Sequence, residues 1–122
     1  MFTSTVNVVF QGKEIINGSE ESHLWIDSGH LDYYSKTKHK AEKLVIAANG
    51  QLAKDKATLL RTCVLRLGGV YGPAEKTILQ RSLDLMASPI GYLSFCHRRD
   101  LKIDFLHIDN AVQGHLSVII FF

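Results

Sequence analysis

The sequence predicts a mixed α/β fold with parallel strands. Residues 33–49 have side chains at helical spacing, and Asp32 before them and Gly50 after them, as the C′ residue, are typical helix-capping residues. The mostly apolar run at 59–67 that follows is typical of a strand covered on both faces. A helix followed by such a strand is an α/β unit, so we expect parallel strand pairing.

The remaining elements follow from the same kinds of pattern. The β-rich opening predicts a strand that ends in a row of hydroxyl residues, and clustered turn residues mark the loops. In chain order, we predict a strand within 1–10, loops over 11–33, 51–58 and 68–73, a helix over 75–88, short strands at 92–96 and 102–107, and a helix that has Asp109 as its N-cap.

The predicted helix at 33–49 has two kinds of face. One stripe at 3/4 spacing is expected to pack on the sheet, with Leu44 widening it; it consists of Tyr34, Lys38, Ala41, Val45 and Ala48. The other sides carry Lys36, His39, Lys40 and Lys43. We interpret this basic set as a solvated helix face rather than as a nucleic-acid patch.

Composition excludes several classes of function. The 122 residues suggest one domain at most, and the net charge of +2 is too small to indicate a nucleic-acid partner. The six histidines are scattered and the two cysteines lie far apart, so no metal site is expected and both thiols are predicted to be reduced. No apolar run reaches the roughly 18 residues that span a bilayer.

Tyr34 and Lys38 form the first candidate site. Their i,i+4 spacing on the predicted helix puts both side chains on one face, roughly 6 Å apart at Cβ. An ammonium group beside a phenol favours the phenolate, so the pair is suited to proton transfer in alcohol–carbonyl chemistry. On the pair alone, a surface lysine lying along a half-buried tyrosine is the commoner arrangement.

Two further segments have features of a ligand site. Thr3-Ser4-Thr5 places three hydroxyls at the end of a predicted strand, where open α/β sheets bind ligands, although an ordinary β-rich stretch is the simpler interpretation. Residues 68–73, Gly-Gly-Val-Tyr-Gly-Pro, allow a close approach of the backbone to a ligand. They match neither a Walker loop nor GxGxxG, so they are no independent nucleotide fingerprint.

Together these segments resemble the extended short-chain dehydrogenases/reductases. Within that group the chain resembles the 3β-hydroxysteroid dehydrogenase/isomerase family, and its 42E-type members most. The matching segments occur in family order: Thr3-Ser4-Thr5, Tyr34 to Lys38 with Ala41-Glu42, Leu65-Arg66 through Tyr71-Gly72-Pro73, and His107 to Asn110. Leu67 departs from the pattern, since a proline usually follows the arginine.

The resemblance implies a fold: the C-terminal part of an NAD(P)-binding Rossmann-like doubly wound fold, with part of the substrate-binding region. Residues 1–73 match the latter part of the Rossmann-like domain with the catalytic segment, and 74–122 match a partial substrate-binding region, in one continuous, incomplete domain. The Gly-rich fingerprint that cradles the cofactor pyrophosphate is absent from the sequence. We therefore expect the chain alone to be unstable or molten, or to need a complement, and to lack useful NAD affinity.

The resemblance also implies roles for individual residues. Tyr34 matches the tyrosine that exchanges a proton with the substrate oxygen, and Lys38 matches the lysine that favours its phenolate and binds the nicotinamide ribose. Thr5, with Ser4 as the alternative, matches the hydroxyl that helps to hold the substrate oxygen. Gly68, Gly69 and Val70 match the segment that passes the nicotinamide, and His107 to Asn110 match a motif that supports the substrate pocket.

The function implied is hydride transfer between the CH–OH group of a steroid or sterol and NAD or NADP. Two alternatives stay open: a catalytically inactive truncated scaffold or incomplete gene model, and a relative of nucleotide-sugar epimerases or dehydratases. The expected partner is the small-molecule substrate, with no nucleic acid, no membrane segment in this chain, and homo-oligomerisation left open. The expected location is cytoplasmic, with endoplasmic-reticulum association in the full-length relatives.

Overall fold

The computed structural model describes residues 1–21, 26, 28–77, 79–89 and 102–121. The predicted strand at 92–96 lies outside the described residues. The chain forms two compact units, Met1–Gly68 and Gly69–Phe121. The resemblance implies a functional boundary at residue 73, between the Rossmann-like part and the substrate-binding part. The compact units do not test this boundary, so it stays a prediction.

The first unit contains one helix on a pair of parallel strands. Strand β1 spans Phe2–Thr5 and strand β2 spans Val64–Leu67, with helix α1, Tyr33–Ala47, between them in sequence. β1 and β2 pair in parallel, and α1 packs against both strands. The parallel pairing predicted from the α/β pattern is confirmed.

The predicted strand at 1–10 is shorter than its sequence pattern indicates. After β1, a short 3₁₀ helix spans Val6–Val9, and Thr5 is its N-cap. The Thr5 side chain accepts a hydrogen bond from the Asn7 backbone N–H at 3.3 Å. This local contact satisfies a donor in the first turn and ends the strand at the row of hydroxyls.

Helix α1 begins where the sequence predicts. The Asp32 carboxylate accepts a hydrogen bond from the Ser35 backbone N–H at 2.6 Å, which lowers the pKa of Asp32. The helix ends at Ala47, and Ala48 is its C-cap. The observed C′ residue is therefore Asn49, and Gly50, which was predicted to be C′, lies one residue further on. With φ +76°, Gly50 turns the chain toward a small hairpin.

The most deeply buried residues of α1 are polar, so the predicted stripe is correct only in part: Lys38, Ala41, Val45 and Ala48 are half-buried. Ser35, His39 and Glu42 are the buried residues of the helix. Tyr34 is 54% exposed and Leu44 is 72% exposed. His39, predicted on the solvated side, is only 5% exposed. The spacing of apolar residues does not indicate this deeply buried set, because Glu42 is held there by hydrogen bonds from Ser4 and Arg66 on the strands.

The segment between α1 and β2 is a short hairpin rather than a surface loop and a long strand. Leu52 and Leu59 form an antiparallel bridge, and β2 begins only at Val64. Asp55 stabilises the turn by accepting hydrogen bonds from the Thr58 hydroxyl and backbone, which lower the pKa of Asp55 to about 2. β2 is half-buried, so the expectation that both of its faces are covered does not hold among the described residues.

The second unit repeats the pattern of parallel strands and helices. Its elements are strand β3 (Gly69–Tyr71), helix α2 (Leu79–Met86), strand β4 (Phe105–His107) and helix α3 (Ile108–Phe121). β3 pairs in parallel with β4, and α3 packs on both strands. The loop predicted at 68–73 therefore contains a strand, because its residues find hydrogen-bonding partners in β4 that no local pattern indicates.

Both helices of the second unit start at positions other than predicted. α2 begins at Leu79 rather than at residue 75. The Glu75 carboxylate precedes the helix and accepts a hydrogen bond from the Leu79 backbone N–H at 2.9 Å, so it stabilises the helix start from outside. α3 begins at Ile108, so Asp109 lies inside its first turn instead of capping it. Within the described residues, no helix has the length and apolar character that crossing a membrane requires.

Candidate active site

The structure brings Tyr34 and Lys38 together on α1. The Lys38 Nζ lies 5.9 Å from the centroid of the Tyr34 ring, and the tyrosine is 54% exposed. The i,i+4 spacing read from the sequence thus produces the expected proximity of ammonium and phenol. The exposed ring leaves the pair accessible to a ligand.

Lys38 also ties this pair to strand β1. Its Nζ donates a hydrogen bond to the backbone carbonyl of Thr3 at 2.9 Å and lies 5.1 Å from the centroid of the Phe2 ring. A lysine ammonium has three N–H donors, of which this contact uses one. The amine is therefore held at a defined place beside Tyr34 and retains donors for hydroxyl groups of a ligand.

The hydroxyls of Ser4 and Thr5 are engaged in different ways. Ser4 is 4% exposed, and its hydroxyl donates to the Glu42 carboxylate at 2.7 Å. Thr5 is 8% exposed and accepts from the Asn7 N–H, which leaves its own proton available to a further acceptor. Ser4 and Thr5 are the two candidates for holding a substrate oxygen. The Ser4 proton is donated to Glu42, so Thr5 is the candidate that can still donate to a substrate.

Sequence reasoning missed the role of Glu42. This carboxylate is 1% exposed and joins α1 to both strands of the first unit. The Arg66 Nε donates to its two oxygens at 3.0 and 3.3 Å, and the Arg66 Nη2 makes an ion pair with Oε1 at 2.5 Å. Ser4 and Arg66 are direct partners in the register of β1 and β2, so both reach the same carboxylate.

A signal for this network was present in the sequence. Glu42 is the one acidic residue of α1, and Arg66 is the one charged residue of β2. A charge in an otherwise apolar strand needs a partner, and a carboxylate on the preceding helix is a natural one. The segments Ala41-Glu42 and Leu65-Arg66 supported the resemblance, but their mutual contact could not be read from it.

A pair of histidines lies beside the network. The rings of His30 and His39 meet edge to face, with centroids 4.7 Å apart. Burial lowers the pKa of His39, and the charges of His30 and Lys43 lower it further, whereas a hydrogen bond to the Val8 backbone acts in the opposite direction. No group of three or more metal-ligating side chains is found in the described ranges.

The three proposed nicotinamide-binding residues are not alike in their surroundings. Gly68 ends the first unit, whereas Gly69 and Val70 belong to β3 in the second. A β-carbon at Gly69 would lie 3.1 Å from the Phe105 ring. The close packing of β3 on β4 is therefore sufficient reason for a glycine at position 69. The roles of Gly68 and Val70 beside the nicotinamide stay predictions.

A groove of about 300 Å³ lies in the second unit, next to α2. Its residues come from the turn after β3 and from one side of the helix: Gly72, Pro73, Ala74, Glu75, Lys76, Leu79, Gln80 and Leu83. Gly72 is required here, because a β-carbon would lie 2.5 Å from the Ile108 Cγ2 at the start of α3. The backbone thus approaches α3 closely while the groove opens on the side of α2.

Comparison with known proteins identifies the family. The family model for the 3-beta hydroxysteroid dehydrogenase/isomerase family matches residues 1–119. The chain belongs to this family. The resemblance to it and to its 42E-type members is therefore confirmed, and the family fold is Rossmann-like and binds NAD(P). The mixed α/β structure with parallel strand pairs agrees with that fold class.

Relatives in this family match nearly all of the chain. Short-chain dehydrogenase/reductase family 42E member 1 is 40% identical over 117 residues in Danio rerio and 38% identical over 116 residues in Homo sapiens, and each match covers 95% of this chain. The decarboxylating sterol-4-alpha-carboxylate 3-dehydrogenase of Schizosaccharomyces pombe is 32% identical over 117 residues, also 95% of this chain. No solved structure shows a significant match.

The matched relatives are considerably longer than this chain. The match covers 30% of the Danio rerio protein, 29% of the human protein and 31% of the Schizosaccharomyces pombe protein. All three are named as dehydrogenases or reductases, which supports assignment of an oxidoreductase through the family. The chain thus corresponds to somewhat under a third of such an enzyme.

The first unit has groups that fit part of an NAD(P) cofactor. A ribose offers hydroxyl groups, and the Lys38 ammonium retains N–H donors beyond the one given to Thr3. The neighbouring Tyr34 ring is exposed on the same side of α1. These two residues match the donor set needed for a ribose, and the described residues contain no GxGxxG sequence for a pyrophosphate.

Proposed function

We propose that this chain is part of an NAD(P)-dependent oxidoreductase that acts on the CH–OH group of a steroid or sterol. In this proposal, residues 1–73 are the latter part of the Rossmann-like domain with the catalytic segment, and 74–122 are part of the substrate-binding region. The observation that carries the proposal is the fixed position of the Lys38 amine, between the Tyr34 ring and the Thr3 carbonyl.

The proposed mechanism uses three side chains of the first unit. The Tyr34 hydroxyl exchanges a proton with the substrate oxygen, and the Lys38 ammonium favours the phenolate form that this exchange requires. The Thr5 hydroxyl donates a hydrogen bond to the same oxygen, and Ser4 holds Glu42. When bound, the nicotinamide supplies or accepts the hydride, while the remaining Lys38 donors hold its ribose.

The sterol class of substrate is favoured by the names of the relatives. The Schizosaccharomyces pombe relative is named for a 3-dehydrogenase reaction on a sterol carboxylate, and the matching family model is named for 3-beta hydroxysteroids. The Tyr-x-x-x-Lys pair by itself would serve a nucleotide-sugar epimerase or dehydratase equally well. An inactive scaffold is the third candidate, and it is favoured by the absence of GxGxxG from these 122 residues.

One activity panel separates these candidates. The natural protein, expressed from its complete coding sequence, is incubated with NAD⁺ or NADP⁺ and with 3β-hydroxysterols, 3β-hydroxysteroids or nucleotide-sugars. Reduced nicotinamide is followed by absorbance for the sterols and steroids. Conversion of the nucleotide-sugars is followed by chromatography, because an epimerase or dehydratase returns the hydride to its product and leaves no reduced nicotinamide. We expect reduction only with a hydroxysterol or hydroxysteroid. The cofactor that reacts also decides between NAD and NADP.

The other outcomes each exclude the proposal. Turnover of a nucleotide-sugar alone would assign the chain to the epimerase or dehydratase group. No turnover of any alcohol by a folded protein that fails to bind either dinucleotide would leave the inactive scaffold. Dinucleotide binding is measured separately by calorimetric titration, so that a missing substrate is not mistaken for a missing cofactor site.

A further inference from the structure

We propose that Glu42 is a positioning residue for the Tyr34–Lys38 pair. This inference rests on the proposed function and extends it to a residue that contacts neither of those two side chains in the described hydrogen bonds. Its buried carboxylate joins Ser4 on β1 and Arg66 on β2 to α1. It thereby sets the position of the helix along the two strands, and with it the place of the Lys38 amine.

Two contacts one helical turn apart hold α1 against β1. Lys38 reaches the Thr3 carbonyl at 2.9 Å, and Glu42 reaches the hydroxyl of the adjoining Ser4 at 2.7 Å. Because the two helix residues are four apart and the two strand residues are neighbours, sliding or rotating α1 would break both contacts together. The Lys38 contact is charged but partly exposed, so the buried Glu42 contact is the stronger constraint.

Arg66 restricts the orientation of the Glu42 carboxylate. Its Nε and Nη2 engage the carboxylate from β2, while the Ser4 hydroxyl engages Oε2 from β1. A carboxylate that accepts hydrogen bonds from a guanidinium on one strand and from a hydroxyl on the other has one favourable orientation. Loss of the charge leaves the half-buried Arg66 beside a neutral group and removes that constraint, so α1 can shift along the strands.

Such a shift is expected to slow proton transfer more than it weakens substrate binding. A displacement of about 1 Å at a reacting group can reduce a rate on the order of 100-fold. Glu42→Gln should therefore lower kcat by at least about tenfold while the KM for the alcohol changes by less than about threefold. Lys40→Gln is the matched control, because it removes one charge from an exposed position on the same helix, and it should retain wild-type kcat.

A chemical readout reports the position of Lys38 without depending on turnover. Amine acetylation, followed by mass spectrometry, measures the labelling rate of Lys38 relative to Lys36 and Lys40 in the same molecule. In the wild type, the contact with the Thr3 carbonyl should slow labelling of Lys38. In folded Glu42→Gln, labelling should rise severalfold relative to the two exposed references.

Ser4→Ala provides a second variant in case Glu42→Gln fails to fold. It keeps the ion pair of Glu42 with Arg66 and removes only the contact with β1. Alone, Ser4→Ala should raise the labelling of Lys38 and lower kcat in the same direction as Glu42→Gln. Where Glu42→Gln does fold and Ser4 acts through Glu42, the double variant should lose no more kcat than Glu42→Gln alone. If the Ser4 hydroxyl itself holds the substrate, the two losses should multiply, and this result would overturn the positioning role of the Ser4–Glu42 contact.

The outcomes separate this proposal from the proposed function. Unchanged Lys38 labelling in a folded Glu42→Gln or Ser4→Ala variant, or a kcat within twofold of wild type, overturns the positioning role. Raised labelling in a protein that oxidises no alcohol would keep the structural role of Glu42 and refute the oxidoreductase. Raised labelling with reduced kcat and a nearly constant KM supports both.

Discussion

At the scale of single residues, the buried side chains of α1 determine where the helix lies on the strands, and so where Tyr34 and Lys38 lie. The sequence pattern indicated an apolar stripe, but the residues that pack are Ser35, His39 and Glu42. Each has a polar partner: Asp32 for the serine hydroxyl, Ser4 and Arg66 for the glutamate, and the Val8 backbone for the histidine. Because these partners lie at fixed places, the hydrogen bonds favour one position of the helix.

His39 gives the first unit a dependence on pH. Burial and the neighbouring His30 and Lys43 lower its pKa below the usual 6.5, so the folded state binds its proton less readily than the unfolded state does. Glu42 and the Val8 backbone oppose this effect without reversing it. Stability is therefore fully present above the ordinary histidine pKa and is lost as the pH falls from there through the lowered pKa.

Equilibrium unfolding in urea at a series of pH values measures this dependence. We expect the free energy of unfolding of the natural protein to decrease as the pH falls from about 7.5 to about 5.5. His39→Gln should flatten the profile in that range, because the titrating group is removed. Identical profiles for the wild type and the variant would show that another group causes the dependence.

At the scale of elements, local contacts were predictable and contacts between elements were not. Asp32 caps α1 through a side chain three residues away from its partner, so its role is visible in the sequence. The start of β2 and the existence of β3 depend on partner strands remote in the chain. The Glu42–Arg66 pair, 24 residues apart, depends on the same pairing, so it was seen only as two separate motif residues.

The family resemblance identified candidate site residues that helix and strand propensities could not identify. Tyr34 and Lys38 were identified from their spacing together with the resemblance, and the structure places them side by side. Two glycines show what the sequence did not reveal about packing. Gly69 and Gly72 were interpreted as a loop open to a ligand, whereas their missing side chains first make room for Phe105 and Ile108.

Gly72 offers a direct test of this packing argument. A β-carbon at position 72 would meet the Ile108 side chain at 2.5 Å, whereas one at Gly114 within α3 would meet no atom within 4 Å. Gly72→Ala should destabilise the protein by about 1–3 kcal/mol through overpacking. Gly114→Ala should stabilise it by about 0.5–1 kcal/mol, because alanine favours the helical backbone. Urea denaturation followed by circular dichroism measures both, and equal stability of Gly72→Ala and the wild type would contradict the structure at this turn.

At the scale of the whole molecule, each compact unit contains one pair of parallel strands with helices. The first unit holds Thr5, Tyr34 and Lys38, so the proposed acid–base machinery lies within a single unit. The second unit holds the groove beside α2 and most of the segment proposed to pass the nicotinamide. The family relatives are about three times as long, so activity is a property to test in the complete natural protein.

The central claim is that Tyr34 transfers the proton in oxidation of a CH–OH group. Tyr33 is the adjacent residue of the same helix and is 80% exposed, so Tyr33→Phe is a closely matched control. The decisive measurement is kcat of the natural protein, Tyr34→Phe and Tyr33→Phe with the alcohol that the panel identifies. We expect a loss of about 10²–10⁴-fold for Tyr34→Phe and wild-type turnover for Tyr33→Phe. Undiminished turnover in a folded Tyr34→Phe protein would contradict the central claim.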